Sequence, residues 1–492
     1  MSELLDPEGA ERLEQEHPDE YMRRREFLTR TAMAAGLTAG MAGVLPGGTI
    51  MAEAARRQRR VKLPSPRNMP VDTFVILMME NRSFDHYLGW MPHADGRQAG
   101  LSYVDKSGHT LATRPLAPDW QGCGFNDPDH SWEGGRTQLN DGACDGFLRS
   151  GGNDALSISY YREKDLGFLP AAAQEFTTFD HFHCSLMGPT LPNREYMHAA
   201  QSYGVITNDF PTPPGFPDTT IFASLKKAGV SNRYYFCDVP VSALWGAPGL
   251  ARSSRIEEYY ARCATGTLPH VSFVDPNFGG SVGEDPGISG DEHPHGDVRT
   301  GQAFMSDVVH AFMESPQWKR GALFIIYDEW GGFFDHVPSP RVPDMRNSPD
   351  VNKDFGLMGF RIPAVLVSPW AKRHHVNHST YAFESILKLI EYRFGLAPLN
   401  KRDANATNIG LAFDFDSKPR LDRPILPDPP MVVSQPCAAG GLNSPMVAPA
   451  PHDLFEMVTS GYLDKLGFEY KQPTLGSIVR QPDALRKAYV AG

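Results

Sequence analysis

The chain has 492 residues, 41% of them apolar and 21% charged, proportions that exclude a disordered, collagen-like or coiled-coil protein. Its formal net charge is −11 and no stripe of Lys and Arg runs through the body of the chain, so the footprint of a nucleic-acid-binding protein is missing. The 46 glycines and 42 prolines imply long ordered loops laid over a scaffold, and the length allows one large catalytic domain.

Residues 1–22 are acidic and polar, after which Arg23, Arg24 and Arg25 precede Glu26-Phe27-Leu28 and a mildly apolar run from Thr31 to Leu45. A charged segment followed by a short, weakly hydrophobic one reads as an export signal, since a membrane-spanning helix needs about 20 strongly apolar residues. The Arg24-Arg25-x-Phe27-Leu28 arrangement resembles a twin-arginine signal, with Ala52-Glu53-Ala54 as the cleavage site. Residues 1–54 are therefore expected to engage the twin-arginine export machinery, leaving a secreted, periplasmic or cell-wall-associated protein. The six cysteines suit that destination, and Cys123 with Cys144, in one Gly/Asp-rich region, is the expected pair.

Within residues 55–430, the expected catalytic domain, short apolar runs at Thr73–Met78, Val271–Val274, Ala322–Tyr327 and Ile362–Val367 read as strands buried on both faces. Helical patterns at Phe222–Ala228, Gln302–Glu314 and Ala382–Phe394 alternate with them. The predicted fold class is α/β, a largely parallel central sheet flanked by helices, with long loop insertions. From about Pro427 the chain reads as a linker and wrap, then a helix near His452 to Leu466, so residues 431–492 are expected to be a docked C-terminal extension.

The residues that follow the strands carry the functional signal. The first strand runs into Glu80-Asn81, the second into Asp275 and the third into Asp328-Glu329, and ligands of open α/β sheets gather at the carboxyl ends of strands. Glu80, Asn81, Asp328 and Glu329 supply hard oxygen donors suited to a divalent cation, with Zn, Mn, Ca and Fe all compatible. His293 and His295 in Asp291-Glu292-His293-Pro294-His295-Gly296-Asp297, Asp127-Pro128-Asp129-His130 and Asp335-His336 add imidazoles beside carboxylates, the pairing that makes a general acid or a metal ligand. In Gly188-Pro189-Thr190-Leu191-Pro192-Asn193-Arg194, Thr190 falls at or near the N-cap of a helix over 191–200, where backbone N–H groups favour an anion. A nearby dication would activate its hydroxyl as a nucleophile.

Glu80-Asn81-Arg82-Ser83-Phe84-Asp85-His86, Thr190-x-Pro192-Asn193-Arg194, Asp328-Glu329-x-x-Gly332-x-x-Asp335-His336-Val337 and Arg361-x-Pro363 with Ser368-Pro369-Trp370 together resemble the motif set of the non-specific phospholipase C family. That family also holds acid phosphatases and belongs to the alkaline phosphatase-like fold group. The resemblance implies that Glu80, Asp328 and Glu329 hold a divalent metal, that Asn81 stabilises the phosphoryl oxygens, and that Thr190 forms a covalent phosphothreonine. It further implies that His130 and His293 contact the phosphate or the leaving group. His295 departs from the small residue or Pro expected there, and the large C-terminal extension of some secreted members is absent, which argues against haemolysis and strong membrane docking.

The substrate implied is a phospholipid or a small phosphoester, reached in the first case by transient contact with a membrane surface. An acid phosphatase acting on monoesters is the alternative within the class, and a catalytically dead phosphate- or metal-binding secreted protein is the alternative outside it. A sulfatase lacks its Cys-x-Pro/Ala/Ser-x-Arg segment here. The serine-hydrolase match Gly279-Gly280-Ser281-Val282-Gly283 runs into Glu284-Asp285-Pro286-Gly287, which cannot start the helix of a nucleophile elbow. Trp90, Trp132, Trp330, Phe333 and Phe334 are expected either to line a lipid mouth or cradle a choline cation, or to be core.

Overall fold

In the computed structural model, which describes residues 62–279, 289–432, 454 and 456–481, eight strands join in one sheet among the described residues. They are β1 (Thr73–Met79), β2 (Thr177–Phe179), β3 (Asn232–Phe236), β4 (Ser253–Arg255), β5 (Val271–Val274), β6 (Gly321–Tyr327), β7 (Ala364–Val367) and β8 (His375–Asn377). Their spatial order is β8-β2-β7-β6-β1-β5-β3-β4. The central strands β1 and β6 are buried along their whole length, so both faces demand apolar side chains and the sequence runs unbroken instead of alternating.

The sheet is largely parallel, as expected. β1 runs parallel to β5 and β6, β3 to β4 and β5, and β2 to β8. Only β7 is reversed, lying antiparallel between β6 and β2. It returns from β6 through an irregular loop containing a short 3₁₀ turn, Val351–Lys353, and an antiparallel neighbour needs no crossover helix.

The helices that bear on the site are α1 (Phe84–Leu88), α2 (Trp132–Leu139), α3 (Thr190–Ala199), α4 (Ile221–Lys227), α5 (Ile256–Thr265), α6 (Val298–Glu314) and α7 (Phe383–Phe394). α4, α6 and α7 coincide with the three helical patterns of the sequence, α6 beginning earlier because Asp297 caps it by accepting from the Arg299 N–H at 2.9 Å. No helix of the described residues is long and apolar enough to cross a membrane.

Two expectations are corrected. Cys144 is a buried free thiol while Cys123 is disulfide-bonded, so the two are not paired with each other. Cys144 instead sits at positive φ in the turn after α2, with its Sγ toward Gly142 O. The C-terminal helix is two short ones, Glu456–Thr459 and Tyr462–Lys465, because Gly461 takes φ +69° between them. The expected export signal and Ser281 lie outside the described residues.

Candidate active site

Register decides which side chains meet. Met79 of β1 pairs with Tyr327 of β6, and Leu77 with Val274 of β5, so Glu80, Asp328 and Asp275 leave the sheet together at its carboxyl edge. The Asp328 N–H donates to Met79 O at 3.0 Å, extending the ladder by one residue. Asp328 Oδ1 in turn accepts from the backbone N–H groups of Asn81, at 3.3 Å, and Glu329, at 2.8 Å. One carboxylate thus ties both strand ends.

The acids face a guanidinium that sequence reading placed in a motif but did not assign to the site. Arg194, fully buried on α3, donates from Nε and Nη2 to Glu80 Oε1 at 3.0 and 2.7 Å and from Nη1 to Asp275 Oδ2 at 2.9 Å, with Nε 3.4 Å from Asp328 Oδ2. Burial works against its charge, yet Asp275, Glu80 and Asp328 outweigh burial and hold it well above the usual arginine range. One cation does not balance four buried acids. Burial pushes Glu80 up to about 7 and Glu329 up to about 8, and raises Asp328, each against a neighbouring carboxylate. Both side-chain polar atoms of Asn81 and Oε1 of Glu329 are buried without a hydrogen-bond partner. Surplus negative charge and unused oxygen donors in one place suit a hard divalent cation, so the residues present fit one.

Two loops bring histidines to this edge. The Glu80 N–H donates to Asp291 O at 2.8 Å, and Asp291 Oδ1 accepts from the His293 N–H at 2.9 Å, which docks the 291–297 loop beside β1. Across from it, Gly331 and Gly332 take φ of +64° and +67°, and a Cβ on them would lie 2.2 Å from Asn81 O and 2.6 Å from Asp129 O. Glycine is therefore needed where the segment after Glu329 threads between Asn81 and the 127–130 loop. The result is a cluster of Asp127, His130 and His293, whose ligand atoms all lie within 4.8 Å of one another, with the two imidazoles 5.8 Å apart between ring centres. Each histidine turns Nδ1 to a prolyl carbonyl, His130 to Pro128 O at 2.8 Å and His293 to Pro294 O. Asp127 Oδ2 lies 3.7 Å from His293 Nε2. His130 also counters the rise at Glu329, so the histidine cluster and the strand-end acids share one electrostatic site.

Thr190 is the first residue of α3, next to Pro189 at the N-cap, within the range the sequence reading gave. Thr190 and Arg194 are four residues apart on α3, the spacing of two side chains on one helix face. The approach to Thr190 is clamped by Asn193, whose Oδ1 accepts from the Leu186 N–H at 2.9 Å while Nδ2 donates to Leu186 O, Gly188 O and Pro189 O at 3.1, 2.8 and 3.2 Å. At the other end Asn400 Nδ2 donates to Ala199 O and Ala200 O, both at 3.1 Å. All ten residues of α3 are buried.

His336 belongs to a different cluster. Its Nδ1 meets Asp85 Oδ2 at 2.5 Å and its Nε2 Asp95 Oδ1 at 3.1 Å, while Arg361 bridges Asp85 and Asp335 at 3.1 and 3.0 Å. His295 turns Nε2 to Phe125 O at 2.9 Å. Of the aromatic side chains expected near a mouth, Trp132, Trp330, Phe333 and Phe334 are core, and Trp90 is half-buried.

Residues 71–397 match the phosphoesterase family. The chain is 32% identical over 394 residues to non-specific phospholipase C1 of Arabidopsis thaliana, covering 72% of this chain and 73% of that protein. It is 31% identical over 488 residues to phospholipase C B of Mycobacterium tuberculosis (strain ATCC 25618 / H37Rv), covering 84% and 90%. Among solved structures, a protein in the alkaline phosphatase superfamily from Vibrio parahaemolyticus is similar with a TM-score of 0.33 and 10% identity, over 89% of this chain and 99% of that one. This chain belongs to the phosphoesterase family, hydrolases of phosphoric ester bonds.

Proposed function

We propose that the protein is an exported, metal-dependent phospholipase C that works through a phosphothreonine at Thr190. The observation that carries the reading is the single face on which α3 presents Thr190 and, one turn on, Arg194 bound to the acids at the ends of β1, β5 and β6. A divalent cation held by Glu80, Asn81, Asp328 and Glu329 would supply positive charge that lowers the pKa of the Thr190 hydroxyl and polarises the phosphoryl group. The Thr190 hydroxyl gives its proton to solvent water, and Thr190 Oγ attacks phosphorus in line. The bond to the glycerol oxygen breaks, and the leaving alkoxide takes a proton from Nε2 of His293. His130 and the Asn81 amide hold the phosphoryl oxygens. Water, giving a proton to His293 Nε2 as it attacks, then hydrolyses the phosphothreonine, which releases the phosphorylated head group and restores Thr190 and the charged His293.

The relatives' names support the lipid substrate, and the Arg24-Arg25-x-Phe27-Leu28 segment supports twin-arginine export. The test compares phosphatidylcholine with an aryl phosphate monoester on the metal-replete mature protein, with Thr190→Ala as control. Diacylglycerol release lost in the variant is the expected result. Monoester cleavage alone would make the protein an acid phosphatase with the same site, and turnover unaffected by the substitution would overturn the mechanism.

A further inference from the structure

The loop between α3 and α4 touches the first turn of α3 at one side chain. Asn208 Oδ1 accepts the N–H of Leu191, the residue after Thr190, at 2.9 Å. That N–H is one of the first-turn donors that have no partner inside the helix, and it points where an anion at the helix N-terminus would lie. The loop's two ends are fixed to the 241–246 turn, where Trp245 Nε1 donates to Tyr203 Oη at 2.8 Å and the Phe216 N–H donates to Leu244 O at 2.8 Å. Its middle is fixed by the C-terminal segment: Phe210 stacks on Tyr462 with ring centres 5.6 Å apart and planes at 26°, and Tyr462 Oη donates to Ala243 O at 3.1 Å. Tyr462 is buried and Asn208 half-buried, so the support is rigid where the contact to α3 is partly open.

We infer that Asn208 is a positioning residue for Thr190, set in place through Phe210 by Tyr462 of the C-terminal segment. By taking the Leu191 N–H, the Asn208 amide fixes the first turn of α3 and, with Pro192 lacking an N–H, leaves the Thr190 N–H as its backbone donor to an anion. The C-terminal segment thereby reaches the reacting hydroxyl through two intermediates. The inference rests on Thr190 as nucleophile, and the two can fail separately.

The experiment measures kcat and KM, inhibition by inorganic phosphate and thermal unfolding for Asn208→Ala, Asn208→Asp and Tyr462→Ala in the full chain, beside Thr190→Ala. Loss of one neutral hydrogen bond at the reacting turn predicts roughly a tenfold lower kcat for Asn208→Ala with KM within about twofold. Asn208→Asp keeps the size and an acceptor but sets a carboxylate beside the phosphoryl group, so inorganic phosphate should inhibit it roughly tenfold less strongly, the loss growing as that carboxyl ionises. Tyr462→Ala should reproduce the kcat loss in weaker form, and Tyr462→Phe, which keeps the stack, should restore most of it. Wild-type kcat and phosphate inhibition in both Asn208 variants, with Thr190→Ala inactive, would overturn this inference while leaving the nucleophile intact. A lowered unfolding temperature with unchanged kinetics would overturn it equally. A fully active Thr190→Ala would remove the reading on which it rests.

Discussion

Arg194 is the side chain on which three strand ends depend. Its fork reaches Glu80 and Asp275 and lies against Asp328, and a lysine, a compact point charge on a flexible stem, cannot satisfy those three carboxylates at once. Removing one partner of a buried ion cluster leaves the others uncompensated, which costs about 3–5 kcal/mol. Arg194→Ala is therefore expected to lose that much stability in denaturant unfolding, and Arg194→Lys to retain part of the stability but little of the activity. An Arg194→Lys enzyme with wild-type kcat would show that the bidentate geometry is not used. Glu80, Asp328 and Glu329 were legible because an acid directly after a buried apolar run stands out. Arg194 was not, since an arginine inside a helical pattern gives no sign of which way it faces, and its buried face is set by the packing of α3.

At the scale of elements, the Asp85–His336–Arg361 cluster ties α1, the segment after Gly331-Gly332 and the approach to β7. Burial alone would lower the His336 pKa, but its bonds to Asp85 and Asp95 raise it from 6.5 to about 9. A histidine whose folded value lies above its unfolded one stabilises the fold fully below the unfolded value, and that contribution fades as pH rises through the folded one. The stabilisation is therefore present at pH 6 and lost between about 6.5 and 9, with an upper size of roughly 3 kcal/mol from the shift. His336→Gln should unfold more easily than wild type at pH 6 and approach it at pH 9.5, as read by denaturant midpoints. A gap that stays constant with pH would show that packing, not charge, accounts for it. Strands β1, β5, β6 and β7 and helices α3, α4, α6 and α7 were readable from unbroken apolar runs, capping signals and helical periodicity, whereas β2, β3, β4 and β8, short and mixed in composition, were not. The reversal of β7 and the broken C-terminal helices were not, because direction is set by the preceding loop and the break by one glycine at positive φ. The Asn208 contact was equally hidden, lying in a Pro-rich loop without periodicity.

The whole molecule carries a formal charge of −11, and the phospholipase C activity proposed above would bring that charge to a lipid surface. Among the described residues the exposed large apolar side chains, Val104, Met345, Leu421 and Ile425, are few, so apolar insertion offers little to offset repulsion from an anionic bilayer. Repulsion between like-charged surfaces reaches about 30 Å at 0.01 M salt and about 8 Å at 0.15 M. On phosphatidylcholine vesicles, which carry no net charge, turnover should change little over that range. On vesicles rich in phosphatidylglycerol it should be slow at low salt and rise severalfold as salt screens the approach, with the gain in kcat/KM and not in kcat, because the field acts on encounter. Initial rates of diacylglycerol release from the two vesicle types across a salt series measure this directly. Turnover of the anionic vesicles that falls with added salt would mean that a locally basic face, not the net charge, meets the membrane.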